Sequence, residues 1–238
     1  MPLRAFDLLW RNRQYRGAIA IEIRTDDWAL KMTLEADSTE QIYLRPAPID
    51  PEIVRRVALT TAFVPPMTGL SVEEPVYTRP KLDQLLGQGK PGEMLRNLLV
   101  NAHEAGESWE RLQESIQRLF GYELMPPDAS GANIVAEYRM ARGGPSFDVA
   151  SAGSGFQQVL MLLAMLNTRP GSVLLLDELD AHLHMIFQNT IYGELRAVAA
   201  RTRSQLVIAT HSEVIINSTG AHELCVLTAG TSWSSQPL

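Results

Sequence analysis

Two short runs in the last third of the chain constrain its fold most. Residues 173–178 read VLLLDE, and residues 204–212 read SQLVIATHS. Apolar runs this short and this unbroken are strands buried on both faces. Each leaves the core on polar groups, Asp177 and Glu178 in the first and His211 in the second. A helix of about twenty residues separates them, by its apolar periodicity. An apolar helix, FQQVLMLLAMLN, precedes the first run, and a further apolar run, ELCVLTA, follows the second. Strands alternating with helices predict an α/β architecture with a mainly parallel sheet. Ligands meet such sheets at the carboxyl ends of the strands, where Asp177, Glu178 and His211 fall.

Upstream, residues 6–16 space Phe6, Leu9, Trp10 and Arg13 as a short amphipathic helix. AIAIEIR and WALKMTL alternate apolar and polar residues around Thr25, Asp26 and Asp27, which predicts an antiparallel hairpin, and QIYLRP adds a third strand. The antiparallel segment thus covers residues 18–46. RVALTTAFVPP reads as a buried strand that Pro65 and Pro66 stop. Residues 76–122 read as helical, with Pro91 opening one helix, Gly106 closing it and Ser108 capping the next. In that next helix Trp109, Leu112, Ile116 and Leu119 share a face. NIVAEYRMA reads as a strand. The core of the α/β part is expected over residues 145–228.

Two adjacent carboxylates at a strand end suit a divided task. One can hold Mg²⁺ through oxygen ligation, and the other can orient an attacking water. Their bland alternative is an acidic helix start. A lone His211 is equally well explained as a group satisfying a loop. The loop SAGSG at 151–155, opening an apolar helix, offers backbone N–H groups to an anion. An ordinary capped loop looks the same. His182 and His184, if on a helix, point to different faces and do not share one ion. Arg139 and Arg142 read as surface arginines, and Cys225 reads as a buried small hydrophobe.

Composition narrows the classes. The net charge of −6 argues against a basic nucleic-acid-binding domain, so any DNA contact falls to a local patch or a partner. The single cysteine excludes an intrachain disulfide and fits a reducing cytoplasm. No apolar run is long enough to span a membrane, and charges interrupt the N-terminus too early for a secretory signal.

Order and spacing together resemble the ABC-type ATPase head of the branch that includes SMC, RecF and OLD-like proteins, the bacterial AAA-type ATPases. SAGSGFQQ looks like a divergent signature motif, VLLLDE like Walker B, LDAHLH like the segment holding the D-loop, and VIATHS like the switch-histidine strand. The resemblance covers about residues 58–228. It implies a P-loop NTPase-like fold with an N-terminal antiparallel segment and a helical insertion. It implies ATP and Mg²⁺ as cofactors, with Asp177 holding the metal, Glu178 acting on water and His211 sensing the γ-phosphate. It implies nucleotide contacts from Gly153, Ser154, Gly155 and Gln158, and a dimer seam near Asp180 and His182. It also implies pairing with a second ATPase head as a homodimer, and in this branch often a nuclease partner.

Two departures stand out. The signature lacks the usual SGG order, so its serine role falls on Ser151 or Ser154. More seriously, nothing matches G-x-x-x-x-G-K-[ST]. Gly87, Gln88, Gly89 and Lys90 are a decoy. Gln84 stands where the first glycine belongs, Pro91 where the metal-binding hydroxyl belongs, and no buried strand precedes them. The chain is therefore expected to be an incomplete single head over residues 1–238: a fragment, a subunit beside a P-loop-supplying chain, or a degenerate member. A non-catalytic interaction module and a metal-dependent hydrolase are the competing classes.

Overall fold

The structure, a computed structural model, describes residues 9–10, 13–14, 17–24, 28–38, 41–48, 60–66, 69–140 and 143–225. The chain divides into two units, Met1–Leu59 and Thr60–Leu238.

The first unit holds one antiparallel sheet, β1 (Ile19–Arg24), β2 (Ala29–Ala36) and β3 (Ile42–Pro48), in that order. Ile23 faces Leu30, and Leu34 faces Leu44, so the alternating apolar residues share cross-strand neighbours. Pro46 and Pro48 lie on β3, an edge strand among the described residues, where a missing N–H is tolerated. The expected helix over 6–16 lies largely outside the described residues. Trp10 Nε1 donates to the Gly17 carbonyl.

The second unit is built on β4 (Thr61–Val64), β8 (Val173–Asp177) and β9 (Gln205–Ala209), a parallel sheet in the order β4-β8-β9. Between β4 and β8 come α1 (Arg79–Gly87), α2 (Leu95–Glu104), α3 (Glu107–Phe120), a small antiparallel sheet of β5 (Glu123–Leu124), β6 (Glu137–Arg139) and β7 (Ser146–Asp148), then α4 (Ser154–Thr168). α5 (Met185–Arg201) joins β8 to β9, and α6 (Glu213–Asn217) follows β9. Every residue from Phe156 to Asn167 is buried. A helix apolar on all sides is stable only when surrounded. Here one core joins α4 to Leu98 and Leu99 of α2, Leu112 and Ile116 of α3, Leu195 of α5, and Leu174 and Leu176 of β8.

Several boundaries differ from expectation for local reasons. Pro91 opens a 3-10 turn (Pro91–Glu93), and α2 starts only at Leu95. The buried Glu74 carboxylate sets that start, accepting from the N–H groups of Arg96 (3.0 Å) and Asn97 (2.7 Å). Gly106, not Ser108, caps α3; Ser108 lies inside the helix and its hydroxyl donates to the Asn167 carbonyl at 3.1 Å. The strand expected over 133–141 shortens to β6, because the Ile134 N–H donates away to Glu74. Ala221–Glu223 forms a 3-10 turn, held by Glu223 accepting from Gly220 N–H and Arg196. Leu224 and Cys225 are not in a strand, and Cys225 is exposed rather than buried. The rest of the expected last strand lies outside the described residues. His182 and His184 precede α5 instead of lying within it, with His184 at its N-cap.

Burial raises the pKa of Glu74 above its ordinary 4.5, while hydrogen bonds from Asn97 and Arg96 and the Arg96 charge oppose the shift. The stabilising contribution of protonated Glu74 is therefore fully present below pH 4.5 and is lost as pH rises through the folded-state value. Urea unfolding across this range should show a smaller fall in stability for Glu74→Gln than for the native chain. Equal slopes would remove Glu74 from the pH dependence. In the core, Leu163→Ala should lower unfolding free energy by about 2–5 kcal/mol.

Candidate functional site

The parallel register places Asp177 opposite Ala209, so the chain leaves β8 and β9 at one edge. The Glu178 N–H donates to the Ala209 carbonyl at 2.9 Å, extending the ladder by one bond. Glu178 then takes φ +49, a left-handed backbone that costs a side-chain-bearing residue about 1–3 kcal/mol. The sharp turn drives Leu179 into the core and leaves the Asp177 and Glu178 carboxylates exposed. Thr210 donates its hydroxyl to Asp180, tying the turn after β8 to the end of β9. Next to it, Ser212 donates to Gln188 at 2.6 Å, and Gln188 donates to the Leu183 carbonyl at 2.9 Å. Ser212 also accepts from Ile215 N–H as the N-cap of α6. His211 is thus an exposed side chain between two anchored neighbours.

The loop before α4 is equally restrained. Asp148 accepts from Ala150 N–H at 2.7 Å and from the Arg96 guanidinium at 2.9 Å. Gln157 Nε2 donates to the carbonyls of Ala150 (3.0 Å) and Ala152 (2.9 Å), and at 3.3 Å to that of Val149. Gly153 caps α4 without a side-chain bond, leaving the first N–H groups of the helix without a side-chain partner. Ser151 donates to the Asp148 carbonyl, whereas Ser154 is exposed at the first residue of α4, which favours Ser154 for a ligand contact. A Cβ on Gly155 would lie 2.6 Å from the His182 carbonyl, so α4 begins directly against the 178–184 turn. That approach sets the start of α4 against the turn that follows the Asp177–Glu178 edge.

Gln158 sits elsewhere. It is buried, and its Nε2 donates to the Leu179 carbonyl at 3.3 Å, while its Oε1 has no partner among the described residues. It props the turn from below. Gln157, Thr210, Gln188, Arg96 and Asp148 escaped the sequence reading, because their roles arise from tertiary neighbours and carry no spacing of their own.

Among the described residues no three His, Cys, Asp or Glu side chains gather as a metal cluster, and no helix is long and apolar enough to cross a membrane. The decoy at Gly87–Lys90 closes α1, and Lys90 pairs with Glu93 at 2.9 Å. Arg139 keeps a buried Nε without a partner among the described residues, and Arg142 lies outside them.

Residues 74–217, more than half of the chain, match the family described as AAA domain, putative AbiEii toxin, Type IV TA system. No curated protein matches. Among solved structures, an SMC head bound to the C-winged helix domain of ScpA is similar with a TM-score of 0.53 and 15% identity, over 84% of this chain and 68% of that one. The SMC head domain from Thermotoga maritima gives 0.47 and 16%, over 84% and 66%. The first of these likenesses, at 15% identity, establishes the fold alone, and the chain spans about two thirds of the length of these heads.

Gly155→Ala should push the 178–184 turn away and cost about 1–3 kcal/mol in urea unfolding. Gln157→Ala should speed amide exchange at residues 150–153 by about tenfold with little change elsewhere. Uniform exchange across the chain would contradict a restraint local to this loop.

Proposed function

The chain belongs to the AAA domain family described as putative AbiEii toxin, Type IV TA system, and from that premise we propose that it binds and hydrolyses ATP as part of a dimeric ABC-type ATPase head. The observation that carries this reading is the sheet edge: two exposed carboxylates and an exposed histidine leave the carboxyl end of a parallel sheet, and the glycine-capped start of α4 packs against the turn that follows the carboxylates.

The residues fit a metal-bound triphosphate on chemical grounds. Exposed carboxylate oxygens suit a hard cation, and an uncapped helix N-terminus suits an anion. Asp177 would hold Mg²⁺, which supplies charge neutralisation at the phosphates. Glu178, turned outward by its backbone, accepts a proton from water and orients it. His211 donates toward a terminal phosphate oxygen. Gly153, Ser154 and Gly155 present N–H groups and a hydroxyl to the nucleotide of a second head, in a two-fold arrangement with Asp180 near the seam. Gln158 supports this surface through Leu179. A cytoplasmic, DNA-related task such as repair, chromosome organisation or phage defence, with a nuclease partner, accords with the branch that the motifs resemble.

A non-catalytic module is the second reading, favoured by the lack of any G-x-x-x-x-G-K-[ST] run in the 238 residues. The same lack means that titration of MgATP into this chain alone should show no micromolar site. In a head completed with a phosphate-binding loop, Glu178→Gln should lower turnover by about 10²–10⁴-fold and accumulate an ATP-dependent dimer. Unaltered turnover would sink the role given to Glu178, and a completed head that binds no ATP would favour the non-catalytic reading.

A further inference from the structure

A cleft lies at the far end of α4 from the candidate site. Helix α4 runs from Ser154, on the site side, to Thr168, a span of about 21 Å at the rise of an α-helix. Tyr77, Arg79, Leu82, Asn101, Thr168 and Arg169 line the cleft, whose volume is about 290 Å³. The entry into α1, the last turn of α2 and the end of α4 thus meet there. The floor is apolar. Leu82 is 3% exposed, and Tyr77 packs against the core of the unit.

The rim carries donors that nothing satisfies. The Arg79 guanidinium, the Tyr77 hydroxyl and the Asn101 amide have no partner among the described residues. Arg169 brings a second guanidinium. Its side chain is 14% exposed and donates from Nη1 to Asp83 at 2.7 Å. A guanidinium has five N–H donors, so this one bond fixes Arg169 and leaves most of its donors unspent. The last carbonyls of α4 do not claim them, because they are met already. Leu163 accepts from Asn167 at 2.8 Å, Ala164 from Thr168 Oγ1 at 2.7 Å and Met165 from the Arg169 N–H at 2.9 Å. None of the six lining residues is acidic. Two guanidiniums against one carboxylate, Asp83, leave a single positive charge.

A carboxylate suits this chemistry. One negative charge balances the cleft, and guanidinium forks match carboxylate oxygens. A carboxylate fills only part of the volume, and the remainder lies over Leu82 and Tyr77, so the ligand carries an apolar group beside its charge. Arg79 and Asn101 are exposed. The cleft therefore cannot bury most of a small molecule, as small-molecule sites do, and its occupant brings a surface of its own. A nucleic-acid strand is disfavoured, because a chain of net charge −6 repels a polyanion.

We propose that this cleft is the docking site for a partner polypeptide other than this chain, seating one acidic side chain on Arg79 and Arg169 and a neighbouring apolar side chain on Leu82 and Tyr77. It is separate from the Asp177–Glu178 edge and does not rest on the ATPase reading.

The test titrates the ¹⁵N-labelled chain with millimolar acetyl-Leu-Glu-Leu-amide, with acetyl-Leu-Gln-Leu-amide and inorganic phosphate as comparisons. The glutamate peptide should move the amide signals of Tyr77, Arg79, Asn101 and Arg169 and leave those of residues 177–180 in place. It should bind at least about tenfold more tightly than the glutamine peptide, the scale of one hydrogen bond between charged groups. Arg79→Gln should remove about that tenfold preference, and Arg79→Lys, which keeps the charge without the fork, should recover part of it. Arg79 is exposed, so both variants should keep the native unfolding midpoint. Equal binding of the two peptides, signals that stay in place, or a preference that survives Arg79→Gln would overturn the proposal. So would phosphate bound at the same residues as tightly as the glutamate peptide, or the same signals moving with the concentration of the chain alone, which would assign the cleft to a second copy.

Discussion

The parallel pairing of β8 with β9 is the constraint on which the candidate site depends. It is not strong locally; five residue pairs form the ladder. Its importance lies in the register, because a slip by one residue would send Leu174 and Leu176 to the exposed face and Leu175 into the core. The burial of α4 on all sides prevents that slip. Leu174 and Leu176 pack in the same core as the α4 residues, so the helix core fixes the register and the register fixes which side chains reach the edge.

The second layer of support is polar. Arg96 connects α2 to the loop before α4, donating at once to the Ser71 carbonyl and to Asp148. Glu74 lies beneath it, 3.9 Å from the guanidinium, and holds the start of α2. Removing either charge would leave the other buried with fewer partners, which is costlier than losing an exposed pair. Thr210 with Asp180, and Ser212 with Gln188, do the same for the other side of the edge. The chemical side chains stay exposed while their neighbours are fastened, an arrangement that fixes geometry without sacrificing access.

Much of this was legible in the sequence. The runs VLLLDE and LVIATHS gave their strands because apolar continuity leaves few alternatives, and the antiparallel pairing of β1 with β2 followed from alternation. What was not legible depended on distant partners. The delayed start of α2 needs Glu74, some twenty residues earlier. Ser108 has the chemistry of a cap, yet Gly106 with φ +59 lets the chain enter α3 sooner. The resemblance implied a nucleotide contact from Gln158, whose side chain lies buried one turn into α4 and donates to the Leu179 carbonyl. Glu223, at the start of the apolar run ELCVLTA, ends a 3-10 turn, Cys225 is exposed, and residues 226–229 of that run lie outside the described residues.

The backbone of Glu178 bears on the history of the chain. In the left-handed region a glycine relaxes freely, and an asparagine nearly so, whereas a glutamate is held there against its preference. Drift toward stability alone would therefore replace Glu178 with a smaller residue at no cost to the fold. A chain freed of any demand on that side chain would relax here first, well before its buried core changed.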